Sequence, residues 1–315
     1  MASAFATAAR FASAAVLFPN RPLLAQLVIT RYCNLDCSYC NEFDKVSAPV
    51  PRAAMLERID AVAALGTAAV TLTGGEPLTH PNLVEFVARV RLRNMICTII
   101  TNGFLLTRSR IEALGVAGLQ GLQISIDNVI PDATSRKSLK SLRGKLELLH
   151  AHARFPVNVN SVLGLGDERA ADAVEVTRVA RDMGFSSSAA LVHDSDGHIR
   201  PLSPAQLAAY KAVMKGGGSR AQRLNYHLFQ RNLITGLPNS WKCRAGGRYL
   251  YVCEDGLVHY CSQRRGTPGI SILDYTTADI ERANATPKSC APFCTLPCVH
   301  QMSAFDAWRS QRLPA

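Results

Sequence analysis

No run of 18 apolar residues occurs in the sequence, so a helix that spans a membrane is not expected. Acid is scarce: 24 Asp and Glu stand against 35 Lys and Arg, a formal charge of +11. Such a charge suits nucleic acid, anionic lipid or a phosphorylated substrate. The bases are scattered, however, except in residues 136–145 (RKSLKSLRGK). A solvated basic face is therefore expected, with no nucleic-acid partner. The first 26 residues contain no acid, which is one trait of a targeting peptide. Their apolar stretch, residues 14–18, is short, and no base precedes Arg10. The expectation is instead a short amphipathic helix over residues 1–26 that leads into the first strand of a cytoplasmic protein. Internal repeats and low-complexity tracts are also missing.

Cysteine is plentiful but uneven. Of ten, three fall within residues 33–40, six within 243–298, and Cys97 stands alone. Tight groups with two or three residues between thiols point to metal rather than disulfides in a reducing compartment. Cys97 lies among Ile and Thr and reads as a core thiol.

Between the two cysteine groups, strand and helix patterns alternate. Strands are expected near residues 27–30, 68–72, 96–100, 122–126, 157–162 and 189–192. Helices are expected near 52–65, 82–93, 108–114, 138–151 and 168–183, the last with Asp167 as its N-cap and Gly184 as its stop. This alternation implies right-handed crossovers and a parallel sheet, either doubly wound or curled into part of a (β/α) barrel. In both, ligands bind at the C-terminal ends of the strands. Polar residues follow every one of these apolar runs: the three-cysteine loop, then residues 73–77, 101–103, 125–127, 160–161 and 193–194. A boundary is expected at residues 236–240, dividing residues 27–236 from a cysteine-rich, strand-poor segment over 241–315.

Cys33, Cys37 and Cys40 have the spacing C-x3-C-x2-C. Three thiolates in one loop can hold three irons of a [4Fe–4S] cube and leave the fourth open to a small molecule. Structural zinc prefers four ligands, and no fourth Cys or His lies nearby.

This loop, which ends Ser38-Tyr39-Cys40, resembles the signature of the radical S-adenosylmethionine (SAM) superfamily. Thr73-Gly74-Gly75-Glu76-Pro77 resembles that family's GGEP loop, and Thr101-Asn102-Gly103 its TNG turn. Ser125-Ile126-Asp127-Asn128 is similar to its S-I-D-G segment, with Asn128 in place of glycine. The resemblance covers about residues 27–200 and implies a partial (β/α)6 TIM-like barrel. It also implies that the open iron chelates SAM. Tyr39 then packs near the adenine, and Gly74, Gly75, Glu76, Asn102 and Ser125 surround the cofactor. Lys137 or Arg136 takes its carboxylate, and Asn160 stands near its ribose. The implied activity is reductive cleavage of SAM to a 5′-deoxyadenosyl radical that abstracts hydrogen from a substrate, with flavodoxin or ferredoxin as electron donor. His193 and Asp194 are weak candidates for proton or hydrogen-atom transfer.

Downstream, Asp255-Gly256 between two short apolar runs signals a hairpin that turns Cys243 toward Cys261. Cys290, Cys294 and Cys298 follow, and Pro292 and Pro297 suggest a loop there. The segment resembles the SPASM and twitch domains, which implies an auxiliary [4Fe–4S] cluster. The C-x2-C-x5-C core of the two-cluster form is missing, so one cluster is expected, on Cys243, Cys261, Cys290 and either Cys294 or Cys298. Cys253 reads as packed. For substrate, a small metabolite is the first expectation and a peptide the alternative; a metal-binding module without catalysis is the remaining reading.

Overall fold

The computed structural model describes residues 11–164, 166–193, 199, 201–217 and 226–307. Six parallel strands follow one another in sequence order: β1 (Leu24–Thr30), β2 (Ala69–Gly74), β3 (Ile96–Thr101), β4 (Gly121–Ser125), β5 (Val157–Leu163) and β6 (Ser186–Leu191). The order never reverses, which rules out the doubly wound sheet. The sheet does not close, and the fold is a partial TIM-like barrel of the α/β class. Helices α2 (Arg52–Ala64), α3 (Leu83–Leu92), α4 (Arg108–Val116), α5 (Leu139–His152) and α6 (Ala170–Asp182) make the crossovers, after a first helix, α1, over residues 11–17. Helix α7 (Pro204–Gly217) packs on α6.

One face of each strand is apolar and meets the helices. Val70, Leu72, Cys97, Ile99, Leu122, Ile124 and Val159 share one core with Ile59, Phe86, Val90, Ile111 and Leu146. Cys97 is buried there, and burial pushes its thiol up to about 12. Gly66 (φ +76°) and Gly184 (φ +80°) adopt the left-handed conformation just past α2 and α6, where the sequence placed stops.

Three local expectations need correction. Asp167 does not cap α6: it opens a 3-10 turn, Asp167–Arg169, and its carboxylate accepts from Ser203 Oγ at 2.6 Å. β6 starts at Ser186, because three serines give no apolar signal yet complete the ladder with β5. The 290–298 segment is not a plain loop. Cys290 and Cys294 flank a 3-10 turn, Ala291–Phe293, and Pro297 opens helix α9 (Pro297–Ala304), since proline is favoured in a first helical turn.

After residue 241 the hairpin expected around Asp255-Gly256 is present, and the segment holds one strand more than expected, joined to the barrel sheet. β7 (Tyr249–Val252) pairs in parallel with β1, and β8 (Leu257–His259) and β9 (Pro268–Ser271) continue antiparallel, making nine strands. β7 thereby covers the β1 edge that six strands alone leave unpaired. Helix α8 (Thr277–Ala285) carries a Thr276/Asp279 capping box. Arg248 is buried at the start of β7; it donates to the Phe18 and Arg21 carbonyls and pairs with Asp306 at 2.9 Å. It thus ties the α1 region and the end of α9 to one strand. Among the described residues no helix is long and apolar enough to cross a membrane.

On α9, His300 is buried, stacked on Phe229 (4.4 Å between centroids) and edge-on to Trp241 (5.0 Å). Burial pushes its ring down to about 4, with a partial offset from the Cys294 backbone. Below pH 6.5 the unfolded chain takes up this proton and the folded chain does not. Stability is therefore expected to fall as pH drops from 6.5 to 4, by about 3 kcal/mol at the lower end. Urea titrations at pH 7 and pH 4.5 measure the loss. His300→Phe keeps the aromatic packing and is expected to shrink it; an equal loss in the variant counts against this origin.

Candidate active site

The three-cysteine loop leaves β1 at Thr30 and crosses the C-terminal ends of the strands. Cys33, Cys37 and Cys40 line a solvent-open cleft together with Thr73, Gly74, Gly75, Thr101, Asn102, Ser125 and Lys137. The cleft thus gathers the ends of three strands, β2 to β4, with the loop after β1 and both glycines of the GGEP-like loop. Burial raises the thiols of Cys33 and Cys40. Asn102 Nδ2 points at Cys33 Sγ (3.7 Å) and Ser135 Oγ lies 3.6 Å from Cys37 Sγ. Lys45 fixes the loop by donating to the Cys33 and Leu35 carbonyls at 3.0 and 2.9 Å.

The glycines serve a close backbone crossing. A Cβ on Gly74 meets the Thr30 carbonyl oxygen at 2.1 Å, and one on Gly75 meets those of Arg31 and Tyr32 at 2.3 and 2.5 Å. The second strand end can thus press against the start of the cysteine loop only without side chains. Glu76 is fully buried and faces away from the cleft. Its carboxylate accepts from Leu78 N (2.8 Å), Thr101 Oγ1 (2.7 Å) and Asn102 N (2.7 Å). Burial pushes it up to about 6, against the pull of those donors. Glu76 is therefore a strut that joins the loops after β2 and β3, and it holds Asn102 against Cys33.

A second buried network flanks the thiols. Asp127 accepts from Tyr39 (2.5 Å) and Ser135 (2.6 Å), and Lys137 Nζ lies 3.1 Å away. Burial pulls the Lys137 ammonium down, but Asp127 and the Cys37 and Cys40 thiols outweigh it and hold it above its usual value. Lys137 also donates to Tyr39 (2.5 Å), so the Tyr39 ring is anchored beside the loop rather than lining the cleft. Asp127 was not singled out as a site residue from sequence; an acid two residues past Ser125, where the apolar run of β4 ends, was its available signal. Asn160 is the register partner of Ser125, accepts from Ser188 Oγ at 2.8 Å and lies outside the cleft lining. His193 follows β6 and is not in the cleft wall; Asp194 lies outside the described residues.

The downstream thiols also converge. Burial raises Cys243, Cys261 and Cys294, and in each case neighbouring thiols add to the rise. Every pair among Cys243, Cys261, Cys290 and Cys294 interacts in this way. Cys298 adds to the rise at Cys261 and packs in the core cluster that holds Tyr249.

The spacing of the thiols bears on the metal. Four thiolates around one zinc lie about 3.8 Å apart, from a Zn–S length of about 2.3 Å. Among the described residues, the group of three or more Cys, His, Asp or Glu ligand atoms within 4.8 Å of one another is Cys253, Asp255 and His259, and neither thiol set qualifies. As they stand, neither set is gathered at the spacing of a single zinc, and a cube holds its sulfur ligands farther apart. In the Cys253 group, His259 Nδ1 accepts from Gly266 N at 2.9 Å, so the neutral ring carries its proton on Nε2.

A parallel partial barrel with three open thiols over its strand ends defines a class of cluster-dependent proteins. Residues 27–193 match the model of the Radical SAM superfamily, and the chain belongs to that family. It is 31% identical to the PqqA peptide cyclase of Gluconobacter oxydans over 53% of this chain and 48% of that one. It is also 31% identical to the GTP 3′,8-cyclase of Chlorobaculum tepidum, over 49% of each. The matches span about half the length of these curated relatives. In fold it is similar to SuiB of Streptococcus suis with bound S-adenosylmethionine: TM-score 0.61, 17% identity, 83% of this chain and 66% of that one. SuiB has also been solved with its precursor peptide SuiA. The family implies a [4Fe–4S] cluster and SAM. The open three-thiol set, the cleft beside it and the two close-crossing glycines fit both.

Proposed function

We propose that this chain is a radical SAM enzyme that modifies a peptide. The observation that carries the enzymatic reading is the cleft that places Cys33, Cys37 and Cys40 beside Gly74, Gly75, Ser125 and Lys137. Cys33, Cys37 and Cys40 hold the cluster, and the backbone at Gly74 and Gly75 with Ser125 receives SAM. When bound, cluster and SAM supply one-electron cleavage of the sulfonium and a carbon radical that abstracts hydrogen. The chain orients these groups through the Glu76 strut and the Asp127–Lys137–Tyr39 network, and the loop over the strand ends restricts water. Cys243, Cys261, Cys290 and Cys294 hold one auxiliary cluster, and flavodoxin or ferredoxin delivers the electron.

A peptide substrate is supported by the relatives that cyclise PqqA and bind SuiA. The small-metabolite expectation is supported by the GTP cyclase and by a heme synthase of Methanosarcina barkeri, but strands β2 to β6 carry no charged side chain to receive a triphosphate. The test is anaerobic incubation of the iron-reconstituted protein with SAM, reduced flavodoxin and short peptides encoded beside its gene. Mass spectrometry is expected to show 5′-deoxyadenosine and a peptide whose mass has changed. Absence of 5′-deoxyadenosine with every reductant tried rejects the enzymatic reading; deoxyadenosine with unmodified peptides rejects the peptide.

A further inference from the structure

The face of the sheet opposite the helices is polar yet uncharged. No Asp, Glu, Lys, Arg or His occurs in β2 to β6 (AVTLTG, ICTIIT, GLQIS, VNVNSVL, SSSAAL). Side chains on one face alternate with the other. Thr73, Ile100 and Ser125 line the cysteine cleft, so Thr71, Thr98 and Gln123, two residues earlier on the same strands, share their face. Register extends this face across the sheet: Gln123 pairs with Asn158 and Asn158 with Ser186, while Ser125 pairs with Asn160 and Asn160 with Ser188.

These groups are joined across the strands. Thr71 and Thr98 hydroxyls lie 2.7 Å apart. Asn158 Nδ2 donates to Ser188 Oγ at 2.7 Å and to Gln123 Oε1 at 3.5 Å, and Ser188 Oγ donates to Asn160 Oδ1 at 2.8 Å. Barrel interiors are usually filled by branched apolar side chains. Here half-buried hydroxyls and amides occupy this face from β2 to β6, one pair joined across β2 and β3 and a second ladder joined across β4, β5 and β6. The ladder fixes both amide oxygens of Gln123 and Asn160 as acceptors. Their Nε2 and Nδ2 groups donate to no residue among those described. Two amide donors on adjacent strands are thus left facing the open side of the sheet.

We infer that Gln123 and Asn160 bind the backbone carbonyls of an extended, uncharged stretch of the substrate peptide. This rests on the peptide reading above and adds the subsite and its selectivity. Diagonal neighbours on adjacent strands stand about 7 Å apart. Alternate carbonyls along one edge of an extended peptide stand about 6.6 Å apart, at roughly 3.3 Å per residue. A phosphate finds no cation on this face, and Lys137 at the cleft wall is already paired with Asp127. A neutral sugar could satisfy the donors but lacks the regular carbonyl spacing.

The test is affinity selection on the iron-reconstituted full chain with a library of N-acetylated, C-amidated hexapeptides of Ala, Gly, Ser and Gln. GTP and maltotriose serve as comparison ligands. Gln123→Glu and Asn160→Asp keep shape and the accepting oxygens, and replace each free donor by a negatively charged acceptor that repels a peptide carbonyl but still accepts from a hydroxyl. Circular dichroism and melting temperature report folding of both. The wild type is expected to retain a subset of the peptides, and each variant to bind them about tenfold or more weakly. Preference for GTP or maltotriose, no retained peptide on the wild type, or unchanged binding in the variants overturns the inference. So does loss confined to Asn160→Asp together with SAM binding, which assigns Asn160 to the cofactor alone. Formation of 5′-deoxyadenosine by the wild type is measured separately; its absence overturns the functional reading and leaves the binding result standing.

Discussion

Replacing Cys33, Cys37 and Cys40 together by Ala is expected to remove about four of eight irons and to drop 5′-deoxyadenosine formation below detection, a loss of more than about a thousandfold. The size of the effect follows from the geometry. All three thiols sit in one loop, and the cleft beside them holds no other Cys or His in its lining. No neighbour can therefore replace a lost ligand. The loop itself should survive, because Lys45 and the backbone pairing of Cys33 N with the Asp44 carbonyl (3.2 Å) hold it without metal. Burial already disfavours charging of the Cys33 and Cys40 thiols that alanine removes, so the folded apo-variant is expected to melt no lower than the wild-type apoprotein. Iron analysis, the SAM cleavage assay and a thermal melt check the three statements. Retention of full iron by the triple variant contradicts the assignment of the cluster to this loop.

The strand ends were legible because each apolar run stops at residues that strands rarely bury, and the parallel barrel then gathers those stops on one face. Thr73–Gly75, Asn102 and Ser125 reached the cleft for that reason. What the glycines do was less legible. Close approach to a ligand and close approach of two chain segments both call for glycine, and only the Thr30, Arg31 and Tyr32 carbonyls show which applies at Gly74 and Gly75. Glu76 sits within the family-like motif but works through Thr101 and Asn102, 25 and 26 residues away, a pairing no local pattern encodes. Tyr249–Val252 is four residues long, and pairing with a strand more than two hundred residues earlier leaves no trace in periodicity. The polar wall did leave one: Gln123 and Ser125, Asn158 and Asn160, and Ser186 and Ser188 alternate with buried residues at the strand period.

Cys294→Ala is expected to abolish the auxiliary cluster, while Cys298→Ala leaves it in place. Spacing alone treats the two alike, since each stands one C-x3-C step from its neighbour. The fold separates them. Cys290 and Cys294 flank the 3-10 turn Ala291–Phe293, and both interact with Cys243 and Cys261. Cys298 lies one residue into α9, beyond Pro297, and packs in the cluster around Tyr249, whose hydroxyl donates to Gln26 Oε1 at 2.6 Å. Pulling Cys298 into the quartet breaks that contact and unwinds the first turn of α9, which also carries His300 in its aromatic stack. Reconstituted Cys294→Ala should thus lose about four irons and its second paramagnetic signal, and with them peptide turnover, yet still cleave SAM in the absence of peptide. Cys298→Ala should keep all its iron and both signals, with a lower melting temperature as the main change. The reverse pattern, iron lost from Cys298→Ala and kept in Cys294→Ala, moves the fourth ligand onto the helix. Full iron and full turnover in both variants and in the Cys294→Ala/Cys298→Ala double variant, where neither thiol can replace the other, make the downstream thiols structural.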